Sequence, residues 1–188
     1  MNHVEATDAT LVRRAQAGDR AAFGELVTRY MRRAYFAALG LVGSHDDALD
    51  LSQEAFARAY RARRSIDPDR PFFTWLYQIL RRLCFNHGRD QKARRARLER
   101  AAPWIEGEAR ERASSDPSRA AERAELRARL AVAIQTLPAG QREMITLREF
   151  QELSYREIAE ITGIPIGTVM SRLYTARKSL AVALGGRL

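Results

Sequence analysis

The chain has 188 residues, 46% hydrophobic and 29% charged, with a formal net charge of +9 carried almost entirely by arginine. That length suits one large or two small packed domains, and the basic excess points to a polyanionic partner, with guanidiniums fitted to phosphate and guanine. A single cysteine, histidines standing far apart (His3, His45, His87), and no apolar run near the ~20 residues of a membrane span argue against a disulfide scaffold, a metal centre and membrane insertion, and predict a cytoplasmic protein without cofactors.

Ala, Leu, Arg and Glu are abundant and period-two alternation is rare, so the expected fold class is all-α. Asp8 or Thr10 is placed to cap a short helix carrying Leu11, Val12 and Ala15, which stops near Gly18. Asp19 caps the next helix, whose apolar residues run from Phe23 to Val42 before Gly43 ends it. Ser44 and Asp47 open a third helix, HDDALDLSQEAFARAYRARR, with Ala48, Leu51, Ala55 and Ala59 on its inner stripe. Its outer stripe is acidic: Asp46, Asp47, Asp50, Gln53 and Glu54. Carboxylates in a first turn favour the helix dipole, which covers Asp46 and Asp47. Asp50 and Glu54 lie beyond that turn, and the stripe reads either as a protein-docking surface or as a solvated face.

Pro68 and Pro71 make SIDPDRP a loop. The helix that follows, FFTWLYQILRRLCFNHGRDQKARRAR, is both the most aromatic and among the most basic stretches of the chain. Trp75, Ile79 and Leu83 step by four toward a core. Phe72 and Phe73 at the loop edge read equally as core or as platforms for unpaired bases, with nearby arginines on phosphates. Cys84 reads as a small packed hydrophobe. From Leu98 to Ser118 periodicity dissolves around Pro103, Gly107 and SSDPS, which reads as a linker, with Trp104 and Ile105 unusual in it.

Asp116 or Ser118 is placed to cap a helix running to Leu137, broken by Pro138 and Gly140. QREMITLREFQE follows as a further helix, and then SYREIAEITGIPIGTVMSRLYTARKSL. In that last stretch Ser154 and Glu157 form a capping box, Gly163 supplies a left-handed turn residue, and Val169, Leu173, Ala176 and Leu180 form a buried stripe. The opposite stripe, Thr168, Ser171, Arg172, Thr175 and Lys178, is polar and basic. This pattern describes a helix-turn-helix whose second helix can enter a DNA major groove. The bland alternative is a helical hairpin with a solvated basic face.

Three stretches together resemble the sigma-70 family, in its small two-domain extracytoplasmic-function (group four) type: DDALDLSQEAFARAYR, FFTWLYQILRRL, and LPAGQREMITLREF running into the helix-turn-helix. The resemblance implies two small helical domains, sigma region 2 over 1–97 and sigma region 4 over 119–188, joined by the linker 98–118. It implies a transcription initiation factor, without enzymatic activity, that binds core RNA polymerase at the β′ clamp and β flap. Asp46, Asp47, Asp50, Gln53 and Glu54 would face the clamp. Arg64, Phe72, Phe73, Arg81, Arg82 and Arg89 would lie along melted −10 DNA. Thr168, Ser171, Arg172, Thr175, Arg177 and Lys178 would meet the −35 duplex. An anti-sigma factor is the further partner implied.

The chain departs from the family pattern where relatives often have Asn at the position of Arg82, Asp at Asn86 and Arg at Thr175. The last removes a guanidinium whose bidentate pairing with guanine is worth about 1–3 kcal/mol. The rival reading is a free-standing helix-turn-helix regulator, which needs neither the acidic helix nor the aromatic-basic one. A nuclease would need clustered carboxylates or a placed histidine, and none joins Asp46, Asp47 and Asp50.

Overall fold

The computed structural model describes residues 6–101 and 119–185, and among them every regular element is helical. α1 (Asp8–Gln16) starts one residue earlier than the sequence suggests: Thr7 Oγ1 accepts from the Thr10 N–H. α2 (Arg20–Val42) opens on the Asp19 carboxylate and closes on Gly43 at φ 79°, whose N–H bonds the Leu39 carbonyl. α3 (His45–Arg61) is capped by Ser44 Oγ, which accepts from the Asp47 N–H. A short 3-10 turn (Arg63–Ser65) follows, then α4 (Phe72–Ala101), starting directly after Pro71. α4 continues past residue 97, so the first residues assigned to the linker are helical. Residues 102–118, with Trp104, Ile105 and the expected caps Asp116 and Ser118, lie outside the described residues.

Small side chains bring α2 and α3 close together. Ala34, Ala37 and Ala38 of α2, with Ala48, Ala55 and Ala59 of α3, are completely buried. α4 closes the unit with Leu76, Tyr77 and Leu80. Phe72 and Phe73 belong to this core, with 0% and 3% exposure, which corrects their placement along a DNA strand. The physical reason is an aromatic cluster at the start of α4. Phe72 meets Phe23 edge-on at 6.4 Å, and Tyr30 stacks on Phe73 at 6.1 Å. Each buried ring stabilises the fold by about 1.5–3 kcal/mol, a gain that exposure to solvent would forfeit. Cys84 is buried as expected, and desolvation pushes its thiol up to about 12.

The C-terminal unit comprises α5 (Arg119–Thr136), α6 (Ala139–Ile145), α7 (Tyr155–Thr162) and α8 (Ile166–Ala183). Gly140 does not break a helix but sits inside α6, and the break falls at Leu137–Pro138. A Cβ at residue 140 would lie 3.2 Å from Arg172 Nη1, so the bare backbone there gives the guanidinium room. α6 widens into a π-helical turn (Thr146–Phe150) that the sequence pattern does not announce. The capping box at Ser154 and Glu157 and the left-handed Gly163 (φ 70°) stand as read. So does the α8 core stripe: Val169, Leu173, Ala176 and Leu180 are buried.

The two units pack against each other. α2 meets α5, α6 and the π-helical turn, and α7 meets α4. At the crossing, Gly40 of α2 lies under Thr146, where an added Cβ would come within 2.6 Å of Thr146 Cγ2. Arg33 Nε donates to Gln151 Oε1 at 3.2 Å, and its guanidinium lies 3.9 Å above the Phe73 ring. Gln135 Nε2 donates to the Gly40 carbonyl at 3.4 Å. Gly40→Leu is expected to force the units apart while keeping each folded. Small-angle scattering should show a larger radius of gyration with unchanged helical circular dichroism; an unchanged radius would show that Thr146 gives way instead.

Candidate nucleic-acid interface

The acidic stripe of α3 divides into two groups. Asp46, Asp50 and Gln53 are exposed, and Leu49 stands among them at 39% exposure. Residues 46, 49, 50 and 53 follow the i, i+3, i+4, i+7 steps of one helical face. Asp47 instead turns to α4, where its Oδ2 accepts from Gln91 Nε2 at 3.3 Å and lies 3.3 Å from His87 Nε2. Glu54 accepts from Arg58 Nε at 2.7 Å, a hydrogen bond that lowers its carboxyl below the usual range. Charge pattern alone does not single out Leu49; its i+3 step from Asp46 is the sequence signal that does.

The basic residues of the first unit are likewise separated. Arg64, Arg82 and Arg89 are exposed. Arg81 is not free: it forms a bidentate pair with Glu143 of α6, with Nη2 3.1 Å from Oε2 and Nε on Oε1. Tyr77 O–H donates to the same Oε1 at 3.1 Å. Glu143 is fully buried, so these donors from the first unit satisfy a carboxylate of the second. Burial first, and then the Glu143 charge, push the Tyr77 hydroxyl well above its ordinary value of 10.0; the hydrogen bond to Glu143 raises Arg81 above its own. Beside this pair, Gln78, Arg81 and Arg82 face Glu160–Gly163 across a cleft of about 190 Å³. The end of α7 thus stands over part of the basic face of α4.

On α8, Ser171, Thr175, Arg177 and Lys178 are exposed and Thr168 is half-buried. The two exposed hydroxyls donate back along the helix, Ser171 Oγ to the Thr168 carbonyl at 3.1 Å and Thr175 Oγ1 to the Ser171 carbonyl at 3.0 Å. Their lone pairs stay outward as acceptors. Arg177 is held by Glu149 of the π-helical turn at 2.7 Å, which brings an acid beside a stripe that has no acidic residue of its own. Arg172 is half-buried with its guanidinium across Gly140, facing α6 rather than the open side. Ile166, Met170, Tyr174 and Val182 of α8 are exposed, which an apolar pattern confined to the inner stripe does not announce. Among the described residues no group of three His, Cys, Asp or Glu is arranged to hold a metal ion, and no helix is long and apolar enough to cross a membrane.

Residues 26–94 match Sigma-70 region 2, and residues 127–180 match Sigma-70, region 4. The chain is 39% identical over 178 residues to the ECF RNA polymerase sigma-E factor of Escherichia coli K12, covering 93% of this chain and 92% of that one. Among solved structures, CnrH in complex with the cytosolic domain of CnrY is similar, with a TM-score of 0.71, 29% identity, and coverage of 96% and 99% of the two chains. The sigma factor RpoE of Bartonella quintana, in complex with the anti-sigma factor NepR, is similar with a TM-score of 0.62, 28% identity, and coverage of 86% and 96%.

The Tyr77–Glu143–Arg81 group predicts a specific alkaline response. The folded chain holds Tyr77 neutral, with its ionisation raised above the unfolded value. Its contribution to stability is therefore complete below about pH 10 and is lost as pH rises through the folded value. Denaturation followed from pH 8 to pH 11 should show a steeper loss for the parent chain than for Tyr77→Phe. Parallel slopes would mean that the phenol is not held by this contact.

Proposed function

Because the chain belongs to the sigma-70 family, in its extracytoplasmic-function branch, we propose that its two helical units divide the work of a transcription initiation sigma factor. Residues 1–97 bind core RNA polymerase and melted −10 DNA, and residues 119–188 bind the −35 duplex. The supporting observation is one chain that joins an acidic helical face centred on Leu49 to a basic recognition helix. A free-standing regulator has no use for the first of these surfaces.

Polymerase docking falls to Asp46, Leu49, Asp50 and Gln53, which share the open face of α3. A leucine ringed by acids offers apolar contact and sets orientation by charge, favouring a basic-rimmed partner. Asp47 and Glu54 support that face from its edges, the first through α4 and the second through Arg58. Arg64, Arg82 and Arg89 contact the −10 strand directly. Arg81 joins them once Glu143 releases it, while Phe72 and Phe73 act from the core by fixing the start of α4. On the −35 side, Ser171, Thr175 and Lys178 meet DNA, Thr168 lies at the edge of that face, Arg177 is held beside it by Glu149, and Arg172 braces α8 against α6.

The packed arrangement is a holding state. α7 covers part of α4 and Glu143 occupies Arg81, so gripping both promoter elements requires the units to separate. The two solved structures that the chain resembles over most of its length are each a complex with another protein. We take an anti-sigma factor to be what stabilises the packed state here. The chain itself performs no bond-making chemistry: it acts on DNA inside the cell by binding, and unstacking costs of a few kcal/mol are offset by base contacts.

The docking assignment is tested by Asp46→Arg/Asp50→Arg and, separately, Leu49→Ala. Affinity for core polymerase should fall at least about tenfold in each case, since a desolvated apolar anchor or a reversed charge pair is worth about 1.4 kcal/mol or more. Circular dichroism should stay unchanged, because all three positions are exposed. Unaltered core affinity in both variants would place the polymerase contact elsewhere on the chain.

A further inference from the structure

Besides Val182 near its C-terminal end, α8 exposes three large apolar side chains: Ile166 at 44%, Met170 at 53% and Tyr174 at 70%. They follow one another at i, i+4 and i+8 and so form a single row. The helix does not need them for packing, because Val169, Leu173, Ala176 and Leu180 already bury its inner stripe. The row is interleaved with Gly167, Ser171, Thr175 and Lys178, the small and polar residues of the same open face. Met170 and Tyr174 also border a shallow hollow shared with Tyr155 and edged by Arg177 and Lys178.

The cations of α8 are mostly committed elsewhere. Arg172 lies across Gly140 and Arg177 is held by Glu149; among the described residues no partner engages Lys178. An arginine-to-guanine reading therefore has little to work with. In the major groove only one base presents an apolar group to a recognition helix: thymine, through its C5 methyl. Ile166 and Met170 occupy the first two turns of α8, the part of a recognition helix that reaches base edges.

We propose that Ile166, Met170 and Tyr174 are specificity-determining residues that read thymine methyl groups in the −35 element. The proposal rests on the −35 reading of α8 given above. Apolar contact to methyls then carries the selectivity that a guanidinium at residue 175 would otherwise supply. Ser171 and Thr175 add acceptors between the contacts, and Lys178 supplies a phosphate anchor.

The test uses holoenzyme assembled from core polymerase and the full chain. Run-off transcription from templates randomised upstream of a fixed −10 region first yields the selected −35 element. Each thymine in it is then replaced by deoxyuridine, which removes the methyl and nothing else. Open-complex formation should fall about threefold to fourfold per contacted methyl, the scale of one buried carbon. Met170→Ala and Tyr174→Ala should abolish that sensitivity while leaving discrimination among the other bases intact. Deoxyuridine templates that behave like the parent, or variants that keep full methyl sensitivity, would overturn the proposal. So would variants that lose core affinity without any methyl effect, since the row would then be a protein-docking surface. Should selection return no upstream preference although core binding is intact, the −35 reading itself fails, a result distinct from a selected element that ignores methyls.

Discussion

The buried carboxylate of Glu143 is the constraint on which the whole arrangement depends. An isolated charge in a protein interior is strongly unfavourable, and removing one partner of a buried pair costs about 3–5 kcal/mol. Here both oxygens are satisfied, by Arg81 and Tyr77, and both donors come from the other unit. The α6 helix can therefore bury this face only when α4 lies in one particular register against it. Arg33 with Gln151, and Gln135 with the Gly40 carbonyl, repeat that register at other points along α2. Such polar pairing contributes little net stability against water but penalises every misaligned packing.

The same chemistry makes the contact separable. If the units part, Glu143 and Arg81 regain water, so the desolvation cost that makes the pair expensive disappears with it. The contact region also retains buried polar atoms without a protein partner among the described residues, namely Gln141 Oε1, Arg142 Nε and Thr146 Oγ1. An apolar interface would hold more tightly and release less readily. The residues that lock the chain are also drawn from the surfaces it would use elsewhere, since Arg81 lies on the basic face of α4. On the proposed reading of α4, packing and DNA binding compete for one guanidinium.

Most of the fold was legible because its signals are local. Asp19, Ser44 and Ser154 as caps, Gly43 and Gly163 as left-handed ends, and the four-three-four stripe of α8 each depend on residues within a turn of each other. Contact between the units was not legible. It is made of residues more than sixty positions apart, such as Arg81 and Glu143, and each alone reads as an ordinary surface charge. The same reason explains the errors at the site. Phe72 and Phe73 were ambiguous until Phe23 and Tyr30 of α2 were seen to surround them. Arg172 has the helical phase of an outward residue but turns toward the space left by Gly140. Leu49 and the row on α8 stay hidden for a different reason: a single exposed apolar residue looks like ordinary surface until its i+3 and i+4 neighbours are read together with it.

The close fit at Gly40 and Thr146, with Gly43 packed equally tightly on Gln135, has a genetic consequence. An atom added at Gly40 must displace the stiff, β-branched Thr146, whereas the end of Gln135 can swing away from Gly43 and open surfaces accept larger side chains freely. If the packed arrangement is the holding state proposed above, substitutions at Gly40 damage it more easily than they damage the exposed faces of α3 and α8. Such lesions would loosen control of the factor rather than abolish its binding surfaces.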